Sequence, residues 1–499
     1  MNSDVPASRV DPVNDAPPRA DGDYVLYWMI ASRRVGWSFP LERAVEWCRE
    51  LGKPLVILEA LRCDYPWASD RLHRFVLDGM ADNWERLREG EVRYYPYVEP
   101  KDGAGKGLLA ALAERAAVVI TDRYPCFFLP RMVAAAGKRL EVRLEQVDGN
   151  GLLPLDGSDK VFNRAYDFRR FLQAELGPHL MEPPAADPLA GPDLPGGAHV
   201  PQEVLDRWPE APIGQLRGDT GLDHLPIDHS VPPVERRGGA VAGTEVLERF
   251  IEERLDHYHE KRNRPLDRAT SGLSPYLHFG QVSPHQVFAA IAEREDWNPG
   301  RLGEDASGAR QGWWGMGEGA EAFLDQLVTW RELGFNMTAR RDDYDRYESL
   351  PDWARKSLAE HADDDRPTVY TKEDLAAGAT HDELWNAAQG QLVREGVIHN
   401  YLRMLWGKKI FEWSPSPQDA LEVMIELNDR FAVDGRDPNS YSGIFWCLGR
   451  YDRAWGPERP IYGKVRYMTS DSTRRKYKVD AYIERYAPGD EEQLVLPRG

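Results

Sequence analysis

Long apolar runs and paired cysteines are what this chain of 499 residues lacks most clearly. It contains no run of about 18 apolar residues, the length that a transmembrane helix requires. Residues 1–21 lack the basic start and apolar centre of a signal peptide, so we expect a soluble cytoplasmic protein. The four cysteines are far apart with no CxxC pair, which predicts buried free thiols and indicates neither a zinc site nor a disulfide framework. They are Cys48, Cys63, Cys126 and Cys447.

Positive charge is also scarce, with 63 Lys and Arg residues against 82 Asp and Glu and a formal net charge of −19. This balance argues against a uniformly basic surface for nucleic acid, because nonspecific binding depends on neutralising phosphates with Lys and Arg. A local basic patch is still compatible with it, and a solvated face or adaptation to salt is the alternative explanation. Positive residues concentrate at Lys408, Lys409, Lys464, Arg466, Arg474, Arg475, Lys476 and Lys478.

Short apolar segments alternate with amphipathic ones in the first part of the chain. YVLYWMI, PLVILEA and AAVVITD predict buried strands, and stretches such as LERAVEWCREL predict helices between them. This alternation is typical of a parallel sheet, so we expect an α/β, Rossmann-like domain over residues 22–185. Residues 1–21, rich in Pro, Ala and Asp, are expected to be disordered. GAGKG at 103–107 lacks the spacing of a P-loop and is interpreted as a plain turn.

Helical signals dominate the second part of the chain. Residues 186–245 carry many Pro and Gly residues with little apolar period, which predicts a linker wrapped over the surface. Apolar residues then recur at intervals of three and four, so we expect an all-α domain over 246–490. An insertion at 298–319 carries Trp313 and Trp314, which are either a contact loop or, the interpretation we favour, a patch packed on the protein body.

Tryptophan is concentrated in the predicted helical domain. Trp385, Trp406, Trp413 and Trp446 lie within about 60 residues of one another, interleaved with basic, amide and acidic residues. Ordinary cores are filled mostly by aliphatic side chains, so such density favours binding of a flat ligand or movement of electrons. The pattern therefore predicts a redox cofactor.

Several motifs in a fixed order resemble the photolyase and cryptochrome flavoproteins. They are TSGLSPYLHFG (270–280), WRE (330–332), HNYLRMLW (399–406) and DGRDPN (434–439). Further details, such as LRCDYPWASDRLHRF (61–75) and RMLWGKKIFEW (403–413), are similar to the class II cyclobutane pyrimidine dimer (CPD) photolyases. The resemblance implies a monomeric lyase that binds FAD and repairs pyrimidine dimers in damaged DNA. It also implies a deazaflavin (8-HDF) antenna chromophore in the α/β domain, although no residue set in the sequence identifies its site.

The resemblance assigns cofactor-binding roles in the helical domain. Arg403 and Asp434 would form a buried ion pair near the flavin ring, and Asn428 would be the hydrogen-bond partner of flavin N5. Two of the assigned residues have a simple structural role as the alternative. Ser274 would then merely cap a helix, and Asn428 would merely end one. The residues near the phosphates or along the cofactor would be Tyr258, Ser271, Leu273, Ser274, Arg331 and Asn336.

The spacing of three tryptophans matches the electron-transfer triad of the same class. Trp406 would be nearest the flavin, Trp385 in the middle and Trp413 toward the surface. Seven residues are two helical turns, which places Trp406 and Trp413 on one face at about 10 Å. The alternative is that all three are ordinary core residues.

A flipped-out dimer requires a cavity with flat apolar walls and a few polar groups. Trp330, Met404 and Trp446 occupy the positions that resemble these walls. The basic segment that follows would hold the phosphates around the lesion, through Arg466, Arg474 and Arg475.

Two positions depart from the class II pattern. Gln326 stands where the family has a glutamate bonded to the dimer carbonyls, and an amide can donate a hydrogen bond but cannot supply a proton. Asp325 is one helical residue away, about 100° around the axis, and should not replace it. Asn400 follows His399 where a glycine is usual. The competing hypothesis is therefore a cryptochrome-like blue-light photoreceptor that keeps FAD with weak or no repair.

Overall fold

The computed structural model describes residues 4–191 and 194–487 of the chain. A six-stranded sheet forms the centre of the N-terminal part, in the order β1-β6-β5-β2-β3-β4. Strands β2 to β6 are parallel to their neighbours, and β1 pairs antiparallel with β6 at one edge. The strands are β1 Val10–Pro12, β2 Tyr24–Met29, β3 Leu55–Leu61, β4 Arg93–Val98, β5 Ala116–Arg123 and β6 Leu144–Asp148.

The predicted parallel α/β domain is confirmed, because apolar strands are covered on both faces by helices. All six residues of β2 are buried, as expected for a central parallel strand. Serine caps start two of the covering helices: Ser38 accepts from the Leu41 N–H and Ser69 from the Leu72 N–H. The helices are α1 Phe39–Leu51, α2 Asp70–Leu87, α3 Leu108–Ala113, α4 Leu129–Gly137 and α5 Ala165–His179.

The N-terminal segment corrects the expectation of disorder over residues 1–21, of which residues 1–3 lie outside the described residues. Val10–Pro12 complete the sheet as β1, and the Arg9 side chain is 1% exposed. The Arg9 guanidinium donates to the carbonyls of Gly151 (3.2 Å) and Leu152 (2.7 Å) and stacks on the Phe39 ring. Composition alone missed this because three strand residues and one anchoring arginine carry no periodic signal.

The segment between the two domains, residues 186–245, contains more structure than a linker prediction implies. It forms α6 Gln202–Arg207 and α7 Ile213–Arg217, and Asp228 makes an isolated parallel bridge to Ser69. Trp208 and Leu216 are buried against the α/β domain. Apolar side chains therefore anchor this segment to the α/β domain.

The rest of the described chain consists of helices joined by loops, which confirms the predicted all-α C-terminal part. Its hydrophobic core also takes in Phe168, Leu172 and Leu176 of α5, so α5 joins the two halves. A π-helix, Asp325–Trp330, interrupts the run of α-helices. The α-helices are α8 Ala240–Glu253, α9 Tyr258–Lys261, α10 Ser274–His278, α11 Pro284–Arg294, α12 Glu318–Leu324, α13 Arg331–Arg340, α14 Asp352–Glu360, α15 Lys372–Ala377, α16 Glu383–Glu395, α17 Asn400–Trp413, α18 Pro417–Phe431, α19 Pro438–Trp446, α20 Ser470–Lys476 and α21 Asp480–Tyr486.

Two smaller predictions also have clear outcomes. Trp313 and Trp314 are both buried, with rings 4.8 Å apart, so the insertion packs on the protein body as favoured. The four cysteines are buried and unpaired, as predicted. Within the ranges 4–191 and 194–487, no helix combines the length and apolarity needed to cross a bilayer.

Candidate functional site

A cavity of about 1640 Å³ opens in the helical domain between α8, α10, α17, α19 and α21. Typical small-molecule pockets have volumes of about 300–1,000 Å³, so this one has room for more than one ligand group. Nine of the predicted site residues line it: Tyr258, Ser271, Ser274, Gln326, Trp330, Arg403, Met404, Asp434 and Trp446. Residues that are far apart in the sequence therefore share one cavity.

One end of the cavity is rich in hydroxyl groups and arginines. Helix α10 begins at Ser274 with Leu273 as its N-cap, and no side chain bonds to the helix start. Simple capping by Ser274 is therefore not what this structure contains. The Arg236 guanidinium donates to the Gly272 carbonyl (2.8 Å), and that of Arg254 to the Thr270 carbonyl (3.1 Å). Hydroxyls, free helix N–H groups and two cations suit a phosphate-bearing ligand.

The predicted ion pair lies at the cavity wall. Arg403 Nη2 is 3.1 Å from Asp434 Oδ1, and both side chains are largely buried. The Nε atom of Arg403 is buried without a protein partner, as are both ring nitrogens of His399, one helical turn earlier. Burial lowers the pKa of His399 to about 4, so its ring is neutral at pH 7. Buried polar groups are normally hydrogen-bonded, so these orphaned atoms fit a bound ligand.

Four residues for which the resemblance implies cofactor contacts lie outside this cavity lining, and their role stays a prediction. Leu273 is completely buried in the core. Asn428 Nδ2 donates to Asp429 Oδ1 (3.0 Å) and Ser440 Oγ (2.6 Å). Asn336 binds the backbone of Lys160 and Phe162, and Arg331 donates to the Asn150 carbonyl. Asn336 and Arg331 therefore join the two halves of the chain, a contact that helix periodicity could not reveal.

The three spaced tryptophans form one contiguous series of rings, the tryptophan stack. The Trp385 ring lies 6.5 Å from Trp406 and nearly parallel to it, and it meets Trp413 edge-on at 5.6 Å. Trp385 is therefore the middle ring, in the predicted order. Trp413 is 3% exposed, and the rings of the half-buried Tyr370 and the exposed His381 lie 5.4 and 5.3 Å from its ring, between it and the solvent.

The π-helix decides which side chains of residues 325–330 reach the cavity. A π-helix changes the angle between successive residues, and Asp325, Gln326 and Trp330 all line the cavity. The α-helical 100° step assumed for this segment is therefore wrong. Asp325 is nevertheless engaged elsewhere, because Arg169 Nε of α5 donates to its Oδ1 at 2.8 Å.

The predicted basic residues are divided between two places. Arg466 lies over the Trp446 ring at 5.3 Å and pairs with Asp452 at 2.9 Å, which puts it beside the cavity wall. Arg474 and Arg475 lie on α20 away from the lining, where Arg474 pairs with the exposed Glu383 at 3.1 Å.

A second cavity, of about 820 Å³, lies at the carboxyl ends of β2 and β5. The strand order reverses here, and such switch points are the usual ligand sites of open α/β sheets. The sequence did not predict this cavity. The segment GAGKG at 103–107 forms the predicted turn, and it also lines the cavity. The lining is mainly apolar and aromatic, and includes Trp28, Ile30, Leu58, Tyr97, Phe128, Leu129 and Met132.

Known proteins resemble this chain over most of its length. A deoxyribodipyrimidine photo-lyase of Methanothermobacter thermautotrophicus is 35% identical over 485 residues, 96% of this chain and 98% of that protein. One from Potorous tridactylus is 33% identical and covers 93% of this chain and 81% of its own length. A class III photolyase structure from Agrobacterium tumefaciens shares the fold, with a TM-score of 0.67 at 17% identity over 93% of this chain and 86% of that one. No protein-family model matches.

Proposed function

This chain belongs to the deoxyribodipyrimidine photo-lyase family of enzymes, and from that premise we propose that it repairs cyclobutane pyrimidine dimers in DNA by light-driven electron transfer, as a class II enzyme. The observation that supports this most is the shared cavity. It is lined by hydroxyl groups and arginines that suit a phosphate, by the Arg403–Asp434 pair, and by the apolar walls Trp330 and Trp446.

The residues at the hydroxyl-rich end fit the FAD that the family implies. Ser271, Ser274 and the neighbouring arginines would hold its phosphates, and the Arg403–Asp434 pair would lie against its ring. The orphaned Arg403 Nε and His399 nitrogens would gain partners. Bound in its reduced form, FAD supplies the electron that light transfers to the dimer.

The other cavity residues fit the two linked pyrimidine bases of a dimer that is turned out of the duplex. Trp330 and Trp446 offer aromatic faces for stacking, and Met404 fills the space between polar groups with an adaptable apolar side chain. The Gln326 amide would donate to a dimer carbonyl. Arg466 carries positive charge beside this wall, where the DNA phosphates would pass.

The tryptophan stack would return the bound flavin to its reduced state. Trp406 lies on α17, the helix that carries Arg403, and Trp385 contacts both Trp406 and Trp413. An electron could therefore pass inward from ring to ring over contact distances, while solvent reductants reach the outer end through Tyr370 and His381.

The second cavity would hold the antenna chromophore. Its apolar walls and its position at the switch point of the sheet suit a flat aromatic ring system such as a deazaflavin. Addition of a deazaflavin to the purified chain should raise the repair yield under light that this dye absorbs, and Met132→Trp should abolish the gain by filling the cavity.

The test of the proposed repair is loss of dimers from an oligonucleotide under blue light with chemically reduced protein. We expect a flavin absorbance band in the purified protein and light-dependent loss of dimers. The photoreceptor alternative is favoured by one observation, Gln326 in place of the glutamate. A flavin band without any light-dependent loss of dimers would support that alternative.

A further inference from the structure

Lys408 is a completely buried lysine for which the proposed repair function has no role so far. It lies on α17, and its Nζ donates to the Cys447 carbonyl at 2.7 Å. Burying an ammonium group costs free energy unless it is paired, so a buried lysine without a carboxylate partner of its own is a candidate for a functional residue. The carboxylate that acts on it most, Asp452, is already bonded to Arg466 at 2.9 Å. Its charge is therefore held mainly by a carbonyl dipole.

The second contact of this lysine is the lesion-cavity wall. Lys408 Nζ lies 4.9 Å from the centre of the Trp446 ring, and the Arg466 guanidinium lies 5.3 Å from it. Gly407 makes this approach possible, since a Cβ there would stand 2.5 Å from Cys447 Sγ. Two cations against one aromatic ring hold that ring in place through cation–π attraction.

We propose that Lys408 is a positioning residue for repair, which fixes Trp446 as a wall of the lesion cavity and holds a positive charge behind it. This inference rests on the proposed repair function. The dimer gains one electron before its cyclobutane bonds break and loses it when they have broken, and Lys408 keeps its proton throughout. A fixed positive charge in a dry site stabilises the transient negative charge. This matters more in a chain whose Gln326 has no proton to give.

The surroundings of Lys408 define how pH should act. Burial lowers its pKa to about 8, and the titratable and charged groups that act on its charge are Cys447, Asp452 and Arg466. The Tyr462 hydroxyl contacts the Lys408 backbone carbonyl and Glu412. The pKa of Cys447 is raised to about 11 by burial, so the thiol stays neutral when Lys408 begins to lose its proton. The charge behind Trp446 should thus fall above pH 8.

Lys409 is a matched control on the same helix. It pairs with Glu412 at 2.8 Å and lies 5.4 Å from the ring of Trp413, which belongs to the tryptophan stack and not to the cavity wall. Removing its charge leaves the cavity wall untouched.

The experiment compares wild type with Lys408→Met, Lys408→Arg and Lys409→Met, each as chemically reduced holoprotein. Repair per absorbed photon and dark affinity for a dimer-containing duplex are measured from pH 7 to 9.5. We expect Lys408→Met to lose about tenfold in repair yield and several-fold in affinity, with Lys408→Arg and Lys409→Met close to wild type at pH 7. Wild-type yield should fall above pH 8, whereas that of Lys408→Arg should not.

A repair yield and a dark affinity of Lys408→Met equal to those of wild type would overturn the inference. If Lys408→Met does not fold, parallel pH profiles for wild type and Lys408→Arg would overturn it. Absence of repair in wild type would instead contradict the proposed function, and the dark affinities would still test whether Lys408 positions Trp446.

Discussion

Gln326 stands where the sequence resemblance implies a glutamate, which is a chemical departure with a testable consequence. It lines the cavity beside Trp330, and its amide cannot supply a proton to a negatively charged dimer. We expect Gln326→Glu to raise repair per photon by about three- to tenfold, below the ~10²-fold of a well-placed general acid. Gln326→Leu is the control, because it removes the donor and should lower the yield. An unchanged rate in Gln326→Glu would contradict the assigned role.

Arg169 and Asp325 form the other informative pair of residues at this site. Their side chains are 6% and 7% exposed, with Arg169 Nη2 2.7 Å from Asp325 Oδ1. Arg169→Met would leave a buried carboxylate without its cation, so we expect the free energy of unfolding to fall by about 3–5 kcal/mol.

Adding Asp325→Asn should recover most of that loss, because the neutral amide is cheaper to bury. Urea unfolding of the two single variants and the double variant measures the coupling. Losses that simply add would show that the pair does not hold α5 against the π-helix.

At the scale of single elements, α16 and α17 together determine the tryptophan stack. Trp385 of α16 is the bridge, since it contacts both Trp406 and Trp413 of α17. We expect Trp385→Phe to slow flavin photoreduction at least tenfold, because a phenyl ring is harder to oxidise than indole by much more than ~1.4 kcal/mol.

Repair by chemically reduced Trp385→Phe should match wild type, since the stack is then not needed. Trp313→Phe, a buried tryptophan of the insertion, is the control for both assays. Transient absorbance after a light flash gives the photoreduction rate, and equal rates in wild type and Trp385→Phe would place the path elsewhere.

Strand β1 and the residues before it are a second element with a testable contribution. Arg9 bonds to the Leu152 carbonyl, and Glu332 of α13 accepts from the Leu152 N–H at 2.7 Å. The N-terminal segment thus supports a loop that α13 also holds. We expect deletion of residues 1–12 to lower the free energy of unfolding by about 3 kcal/mol or more.

Thermal unfolding monitored by circular dichroism checks this, with Asp15→Ala, an exposed position on the same segment, as the control. A melting temperature that is the same with and without residues 1–12 would show that β1 adds nothing.

At the scale of the whole molecule, the sequence predicted the strands and site residues that a local sequence pattern specifies. The apolar runs of β2, β3 and β5 were identified, and the ordered motifs led to Arg403, Asp434 and the tryptophans. Strands β4 and β6, with sequences RYYPYV and LEQVD, were missed because their polar residues hide the apolar period.

Contacts between segments that are far apart in the chain could not be predicted from the sequence. Asn336 and Arg331 bind backbone carbonyls of the α/β half, a contact that the sequence did not predict. The same limit applies to the second cavity, which only the sheet order assembles, and to the π-helix, which rests on packing rather than on composition.

The central claim is that one cavity holds reduced flavin and a flipped-out dimer close enough for an electron to pass between them. The direct measurement is the fluorescence lifetime of the reduced flavin in the dark-prepared protein, with dimer-containing and undamaged duplexes of the same sequence. The account predicts a shorter lifetime with the dimer-containing duplex than with the undamaged one, and a loss of this difference in Trp446→Ala. A lifetime that saturating dimer-containing DNA leaves unchanged would contradict the account.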